Sequence, residues 1–410
     1  MVDIEDFNPA KFAADMQLRT RKEKKFDEVE AELPEPSKPT VAAKRFSVGG
    51  ALNSLSKLNP FARAAGKGDV VWLFDNTAYK HGHFSSWEAE FVAAVFEEEP
   101  KSRVVDMVSG VARVLGLADD AEERKTIQER LMPFIWDTEA SKTVTAKQEG
   151  SHKELKLSPT GFNGISSTVL KVPSHSKGAF AKSSAKIPSG VPGLLGMQTY
   201  YAGQTGWGFI SDVDDTIKIT STSDPIGILR ETFVEEPRPV AGMPELYKSV
   251  NEMLKGDTPW FYLSASPYNL YPFLREFRER YFPQGTLILR ETSWKTIAGL
   301  LAALTMGTEE YKVDRMKKIN TWFPKRKMIV IGDSTQSDPE AYGEIYRTFP
   351  GWVKLILIRK ATDASMFGIG EKNEPERFEK AFKDVPREAW HVFEDPNECV
   401  SIIERTIKNE

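Results

Sequence analysis

From Trp207 onward, short apolar runs alternate with segments of helical spacing. The runs typical of buried strands are residues 209–211, 261–263, 286–289, 328–331 and 353–358. The segments with apolar residues at helical spacing are 243–254, 270–281 and 312–322. Strands and helices in alternation predict an α/β fold, a parallel sheet with helices on both faces. Active sites of such sheets lie at the carboxyl ends of the strands.

The preceding 135 or so residues, 69–203, have a different pattern. Apolar and polar residues alternate with a period of two, which is typical of antiparallel strands. The segments concerned are 70–74, 87–96, 143–147, 154–157 and 165–172. Helical spacing at 104–115 and 121–135 interrupts this pattern. We therefore expect a mainly β, sandwich-like domain with a helical insertion.

Residues 1–68 mix charged residues, prolines and small residues, which predicts a disordered, Pro-containing tail. Between residues 36 and 68 there are six basic residues, among them Lys44 and Lys67, and no acidic one. Apolar residues are interleaved with them, and this combination favours adsorption to an anionic membrane. An ordinary linker would have the same composition. The chain is thus expected to comprise a tail (1–68), a β domain (69–203) and an α/β domain (204–410).

The segment 171–197 is rich in Pro, Gly, Ser and Lys and is predicted to be a loop. Its basic residues are Lys171, Lys177, Lys182 and Lys186. They offer a second contact for anionic lipid.

Bulk properties exclude several classes of protein. A net charge of −4 argues against bulk binding of nucleic acid. Cys399 is the single cysteine, so no disulfide can form within the chain and a reducing intracellular setting is the simplest fit. No run approaches the roughly 20 apolar residues that cross a bilayer, the nearest being 297–304, and the N-terminus lacks the apolar core of a signal peptide. We expect a protein that is soluble or at most peripheral to a membrane.

An acidic pair follows the first strand of the α/β region. Asp212 and Asp214 are two residues apart where the chain leaves the strand, so both carboxylates can approach one ligand. Such a pair can divide the roles of nucleophile and general acid, with a Mg²⁺ ion shielding their repulsion. The alternative is an acidic strand end without function, since Asp is common in loops.

Three further groups suited to phosphoryl transfer lie beside other strands. The hydroxyls and amides of residues 264–266 (Ser264, Ala265 and Ser266) are suited to holding phosphate oxygens. Lys312 supplies a fixed positive charge and is expected to open a helix. Asp333 and Asp338 follow Gly332, which allows close approach, and can face a cation.

The order of these groups resembles the four motifs of the haloacid dehalogenase (HAD) superfamily of phosphatases. The longer strings at 211–216, 262–267 and 330–342 look like the catalytic domain of the actin patch protein family of Mg²⁺-dependent phosphatidate phosphatases, of fungal type. The resemblance covers about residues 206–395. One departure lies at Thr335-Gln336-Ser337, where family members often have Gly-Glu followed by a variable residue.

The resemblance implies a role for each group. Asp212 would attack phosphorus to form an aspartyl-phosphate, and Asp214 would serve as general acid and then as general base. Thr216, the 264–266 group and Lys312 would orient the phosphoryl oxygens. Mg²⁺ would be bound by Asp212, the backbone carbonyl of Asp214 and Asp333, with Asp338 as a ligand or beside the ligands.

Substrate and partners are less well specified. About 47 residues separate Asp214 from Phe261, and we expect a loop and one helix there, with no room for a large cap domain. An open site suits phosphatidate at a membrane surface, which the family resemblance implies, but it would equally admit a phosphoprotein. A lipid-binding module without turnover and an adaptor of cortical actin or endocytic proteins stay open as alternatives. The resemblance implies a cytoplasmic protein with peripheral membrane association, in cortical actin patches.

Overall fold

The computed structural model describes residues 62–80, 86–97, 102–117, 121–254, 256–291, 308–362 and 369–410. Most of the predicted tail and the apolar run 297–304 lie outside the described residues. Within the described residues, no helix is both long and apolar enough to cross a membrane.

The N-terminal part of the described chain is rich in β structure. Its strands are β1 (Arg63–Ala64), β2 (Asp69–Leu73), β3 (Asn76–Lys80), β4 (Trp87–Glu97), β5 (Asp137–Thr138), β6 (Lys142–Thr143), β7 (Thr145–Gln148), β8 (Glu154–Lys156), β9 (Ile165–Val172), β10 (Phe180–Ala185), β11 (Gly193–Leu194) and β12 (Gly196–Tyr201). Apart from the β1–β6 pair, these strands form one hydrogen-bonded sheet. The predicted β-rich region is confirmed, and its division into the two layers of a sandwich stays a prediction.

Strand β4 is central to this sheet. It pairs in antiparallel fashion with all of β9 and also with β2, β3 and β5. Alternate side chains along its first half are buried, as the period of two in the sequence predicts. The predicted helical insertion follows β4 as α1 (Ser102–Val114) and α2 (Ala121–Ile135).

The prediction of a loop over 171–197 is wrong for much of that segment, because β10, β11 and the first residues of β12 lie within it. Ala181 and Ser183 are buried while Lys182 between them is exposed, so a period of two is present, but in small and polar residues of low strand propensity. Pairing with β12 on one side and β7 on the other stabilises β10 through its backbone. The four lysines of the segment are exposed.

The C-terminal region contains a second sheet. Its strands are β13 (Trp207–Asp212), β14 (Trp260–Pro267), β15 (Thr286–Arg290), β16 (Lys327–Asp333), β17 (Val353–Arg359) and β18 (Trp390–Phe393). They are all parallel and lie in the order β15-β14-β13-β16-β17-β18. The predicted parallel sheet is confirmed. Strand β18 was not predicted because it is short and half-exposed at the sheet edge.

Helices cover both faces of this sheet. They are α3 (Pro225–Phe233), α4 (Met243–Met253), α5 (Tyr271–Tyr281), α6 (Thr308–Trp322), α7 (Asp338–Thr348), α8 (Ile369–Lys372), α9 (Pro375–Ala381) and α10 (Asn397–Asn409), with short 3₁₀ turns at Tyr268–Leu270 and Arg387–Ala389. Consecutive residues of β13 point to opposite faces of the sheet and so belong to different hydrophobic cores. Phe209 packs in the core shared with α3, α4, α5 and α10, and Ile210 packs in the core shared with α6, α7 and α9.

Two details of the helices correct the sequence predictions. Helix α6 begins at Thr308, so Lys312 lies one turn inside the helix and does not open it. Two helices, α3 and α4, connect β13 to β14 where one was expected. The helix that was not expected is α3. Asp224 caps it by accepting a hydrogen bond from the backbone amide of Ile226, and Pro225 supplies a favourable first helical residue.

The β-rich region packs directly against the segment that follows Ser264 and Ser266. The hydroxyl of Tyr268 donates to the backbone carbonyl of Asn163 at 2.7 Å, and the hydroxyl of Tyr271 accepts from the backbone amide of Asp75 at 2.7 Å. The carboxylate of Asp75 forms an ion pair with Arg278 of α5 at 3.0 Å. The two sheets are thus joined through buried polar contacts close to the end of β14.

Candidate active site

Strand β13 lies between β14 and β16 in the parallel sheet. The carboxyl ends of these three neighbouring strands carry Asp212, Ser264 and Asp333. Because parallel strands end at the same edge of the sheet, residues separated by up to 121 positions in the chain meet there.

A buried carboxylate cluster is the centre of this site. One carboxylate oxygen from each of Asp212, Asp333 and Asp338 lies within 4.8 Å of the others. Lys312 is fully buried, and its Nζ lies 2.7 Å from Oδ1 of Asp212 and 2.6 Å from Oδ1 of Asp338. Two of the three carboxylates therefore contact the same ammonium group, and the third, that of Asp333, lies beside them.

The pKa values of these side chains reflect the excess of carboxylates over ammonium groups in the cluster. Burial raises the pKa of Asp212, Asp338 raises it further, and Lys312 offsets only part of the increase. Burial also raises the pKa of Asp333, again with a contribution from Asp338. For Lys312, burial lowers the pKa, but Asp212, Asp338 and Asp333 outweigh that effect and raise it, so the lysine stays charged. The surplus of negative charge and the all-oxygen donor set fit a hard divalent cation.

Thr216 contacts two members of the cluster. Its Oγ1 lies 3.0 Å from Oδ2 of Asp212 and 3.2 Å from Oδ2 of Asp333. The side chain is fully buried, so its hydroxyl orients the two carboxylates from β13 and β16 toward each other.

Gly332 explains how Asp338 reaches the cluster. A Cβ atom at this position would lie 2.6 Å from Cγ and 2.8 Å from Oδ2 of Asp338. Oδ2 of Asp338 also accepts from the backbone amide of Asp333 at 3.1 Å. The absence of a side chain at Gly332 therefore lets the first residue of α7 fold back over the end of β16.

Asp214 occupies a separate pocket of hydroxyl groups. Its Oδ2 accepts from Ser264 Oγ at 2.5 Å and lies 3.4 Å from Ser266 Oγ. Its Oδ1 accepts from Thr220 Oγ1 at 2.9 Å. Ala265 is buried between the two serines. The carboxylate of Asp214 is thus not part of the Asp212–Asp333–Asp338 cluster, and Ser264 and Ser266 lie against Asp214.

The sequence predictions did not include Lys218 and Thr220. Lys218 is buried, and its Nζ donates to the carbonyl of Ile219 at 2.9 Å and to Oγ1 of Thr220 at 3.2 Å. The same Thr220 hydroxyl donates to Asp214, which links the lysine to Asp214 through one hydroxyl. The alternating string Lys-Ile-Thr after the acidic pair was the signal available in the sequence.

Asp215 was also not predicted, although it fixes the loop after β13. Its carboxylate accepts from the backbone amides of Thr220, Ser221 and Thr222 and from the hydroxyl of Thr222. Its own φ is +59°, a conformation that Asp tolerates better than most residues. The loop carrying Asp214 is therefore closed on itself by one buried carboxylate.

Comparison with known proteins shows what this site is similar to. Residues 207–360 match the family model of the phosphatidate phosphatase APP1 catalytic domain. This region is therefore similar to an APP1-type catalytic domain. The chain is also 27% identical over 211 residues to the phosphatidate phosphatase APP1 of Saccharomyces cerevisiae. That similarity covers 51% of this chain and 32% of the yeast protein, so the chain spans about a third of the length of its relative.

The APP1-type domain contains every residue of the carboxylate cluster, together with Lys312, Thr216, Asp214 and the 264–266 group. The resemblance read from the sequence to this phosphatase family is thereby confirmed. Helices α8 and α9 lie beyond the matched range and also contact the site, as described below.

Proposed function

We propose that this protein is a Mg²⁺-dependent phosphatidate phosphatase with a HAD-type catalytic domain over 204–410. It would hydrolyse phosphatidate to diacylglycerol and phosphate through an aspartyl-phosphate on Asp212. The observation that supports this most strongly is the position of Lys312, buried between Asp212 and Asp338 beside a third carboxylate. A lysine fixed next to a buried carboxylate nucleophile neutralises charge that develops on transferring phosphoryl oxygens.

In the first step a carboxylate oxygen of Asp212 bonds to phosphorus, and the bond from phosphorus to the glycerol oxygen breaks. Asp214 gives its proton to the leaving alkoxide, which departs as diacylglycerol. In the second step Asp214 takes a proton from water, whose oxygen attacks phosphorus. The bond from Asp212 to phosphorus breaks and inorganic phosphate leaves, so that Asp212 is again a carboxylate and Asp214 is again protonated.

The other side chains bind and orient. Lys312, Thr216 and the 264–266 group hold the phosphoryl oxygens, and the hydroxyls of Ser264 and Thr220 keep Asp214 in place. Asp212, Asp333 and the backbone carbonyl of Asp214 would hold Mg²⁺, with Asp338 as a ligand or beside the ligands. The ion supplies charge neutralisation between the carboxylates and the dianionic phosphate.

The choice of phosphatidate is supported by the APP1 relatives, whereas the site geometry supports phosphomonoesters in general. We propose that the exposed lysines of 171–197, including Lys182, and the basic tail contact anionic lipid beside the substrate. Peripheral membrane association and a link to cortical actin belong to the same proposal. So does the division into a tail, a β domain and a catalytic domain at residues 68 and 203.

Phosphate release from phosphatidate in detergent mixed micelles, with and without Mg²⁺, tests the proposal beside a panel of phosphopeptides. We expect Mg²⁺-dependent release from phosphatidate that Asp212→Glu abolishes, because the longer side chain displaces the nucleophile. Asp314→Glu on the outer face of α6 is the control and should retain activity.

Other results would lead to other functions. Equal or faster hydrolysis of phosphopeptides would replace the lipid substrate with a phosphoprotein. Binding to phosphatidate vesicles without any phosphate release would indicate a lipid-binding module. Activity of a folded Asp212→Glu protein would contradict the assigned nucleophile.

A further inference from the structure

The turn between Asp333 and Asp338 is held from outside by two cationic side chains. Arg377 Nη1 donates to the carbonyl of Ser334 at 2.6 Å, and Arg377 Nη2 donates to the carbonyl of Gln336. Lys372 Nζ donates to the carbonyl between them, that of Thr335. Three consecutive carbonyls of the turn are thus each bound by a charged donor, and charge-assisted hydrogen bonds of this kind are about twice as strong as neutral ones.

Arg377 is itself fixed to the helix that Asp338 begins. Its Nε and Nη2 each lie 3.0 Å from a carboxylate oxygen of Glu340, in the first turn of α7. Its Nη1 also donates to the carbonyl of Lys372 at 2.8 Å. One planar guanidinium group therefore connects the turn, the start of α7 and the segment before α9.

Helix α9, which carries Arg377, is held in place by close packing against α7. It packs so closely on α7 that a Cβ at Gly343 would clash with the carbonyl of Ala381. Lys372 Nζ also lies 3.3 Å from Oγ of Ser223, so the same lysine joins the loop after β13 to the turn after β16. These two loops follow directly on Asp212 and Asp333, the last residues of β13 and β16.

We infer that Arg377, with Lys372, is a positioning residue that fixes the 334–336 turn so that Asp333 and Asp338 face one cation, and that it thereby sets the affinity for Mg²⁺. Both residues lie outside the matched range 207–360, so the site extends into a part of the chain beyond the APP1-type match. The inference rests on the metal site of the proposed function. It concerns this chain in particular, because Thr335-Gln336 in the turn departs from the Gly-Glu expected there.

Binding of Mn²⁺ to the full chain, measured by electron paramagnetic resonance without substrate, tests the inference directly. Groups that orient metal ligands typically contribute about 10- to 100-fold to metal affinity. We expect Arg377→Ala to weaken Mn²⁺ binding by at least about 10-fold and to raise the Mg²⁺ concentration for half-maximal activity in parallel. Arg377→Lys should fall between Arg377→Ala and the native protein, because a lysine keeps the charge but loses the planar fork.

Arg347→Ala is the matched control. Arg347 lies on α7, packs against α9 and donates to two carbonyls, those of Ala381 at 3.0 Å and Lys383 at 2.9 Å, but it does not contact the turn. A purely structural role predicts the same change in Mn²⁺ affinity for Arg377→Ala and Arg347→Ala, and that result would overturn the inference. Unchanged Mn²⁺ affinity in folded Arg377→Ala, or no binding of Mn²⁺ to the native protein, would overturn it as well.

Different results would refute the proposed activity and the positioning role of Arg377. If phosphatidate is not hydrolysed while Mn²⁺ binding depends on Arg377, the substrate is wrong and the positioning role stands. If phosphatidate is hydrolysed and the Mg²⁺ requirement is the same in Arg377→Ala, the positioning role is wrong and the activity stands.

Discussion

The ammonium nitrogen of Lys312 lies 2.7 Å from Oδ1 of Asp212, and neither side chain is more than 1% exposed. The pair joins a helix on one face of the sheet to the end of its central strand. Because a second aspartate, Asp338, contacts the same nitrogen at 2.6 Å, the lysine balances only part of the local negative charge.

Lys312→Met should lower kcat/KM by about 10² to 10³, as the loss of one fixed electrostatic group does in other active sites. Kinetics at saturating Mg²⁺ measure this effect. Lys317→Met is the control on the same helix, since Lys317 is half-exposed and pairs with Glu344 at 3.2 Å on the surface. Equal losses in the two variants would mean that the position of Lys312 has no special importance.

Asp212→Asn should raise the melting temperature in the presence of a chelator, because it removes one of three mutually repelling buried carboxylates. Burial and Asp338 raise the pKa of Asp212, so its charged form costs free energy when no cation is bound. Added Mg²⁺ should stabilise the native protein more than the variant. Thermal melts with chelator and with Mg²⁺ test this, and equal stabilisation of both proteins by Mg²⁺ would contradict it.

Gly332→Ala should lower both stability and activity. The new Cβ would meet the side chain of Asp338 at 2.6 to 2.8 Å, and overpacking of this kind costs about 1–3 kcal/mol. Denaturant unfolding and phosphatase assays measure the two effects. Gly196→Ala, where a Cβ meets no atom within 4 Å, serves as the control and should change neither.

Thr220→Val should lower kcat by about 10-fold and the free energy of unfolding by about 1 kcal/mol, the usual contribution of one hydrogen bond. The substitution removes the hydroxyl that donates to Asp214 at 2.9 Å and accepts from Lys218. The loss should appear in kcat more than in KM, because Asp214 acts on the leaving group. Thr348→Val removes a hydroxyl that bonds only its own helix, so comparable kinetics in both variants would refute a role for Thr220.

Stability should fall at alkaline pH, in part through Tyr79. Burial, with Glu88 and Glu90, raises the pKa of Tyr79 to about 12, whereas an unfolded tyrosine ionises near 10. The contribution of Tyr79 is therefore fully present below pH 10 and is lost between pH 10 and 12, where only the unfolded chain ionises readily. Urea unfolding at pH 9 and pH 11 should show a smaller decrease for Tyr79→Phe, and identical decreases would exclude this contribution.

Local sequence patterns predicted many of the strands and five of the ten helices in the described residues. Long apolar runs such as the one in β16 and strong helical spacing such as that of α4 leave few alternatives. Strand β10 was missed because its alternation is between small and polar residues, which are not distinguishable from a loop before their pairing partners are known. The start of α6 was placed too late because its first turn has no strong apolar spacing.

The residues of the site also divide into those that the sequence predicted and those that it did not. The chain order of Asp212, Ser264, Lys312, Asp333 and Asp338 indicated phosphoryl transfer because each of these groups lies beside an apolar strand-like run or on a neighbouring helix. The roles of Lys218 and Arg377 could not be read in this way, since a single Lys or Arg in a sequence is more often a solvated surface residue.

The sequence by itself determined the α/β architecture and the residue types available for chemistry, because these depend on patterns only a few residues long. Only the tertiary structure decided that Asp214 lies among hydroxyls apart from the three-carboxylate cluster, and that Arg377 holds the turn after β16. Apart from the bond between Thr220 and Asp214, these contacts join residues 41 to 50 positions apart, and their geometry depends on strand order and packing. Those quantities are fixed only when the whole chain folds.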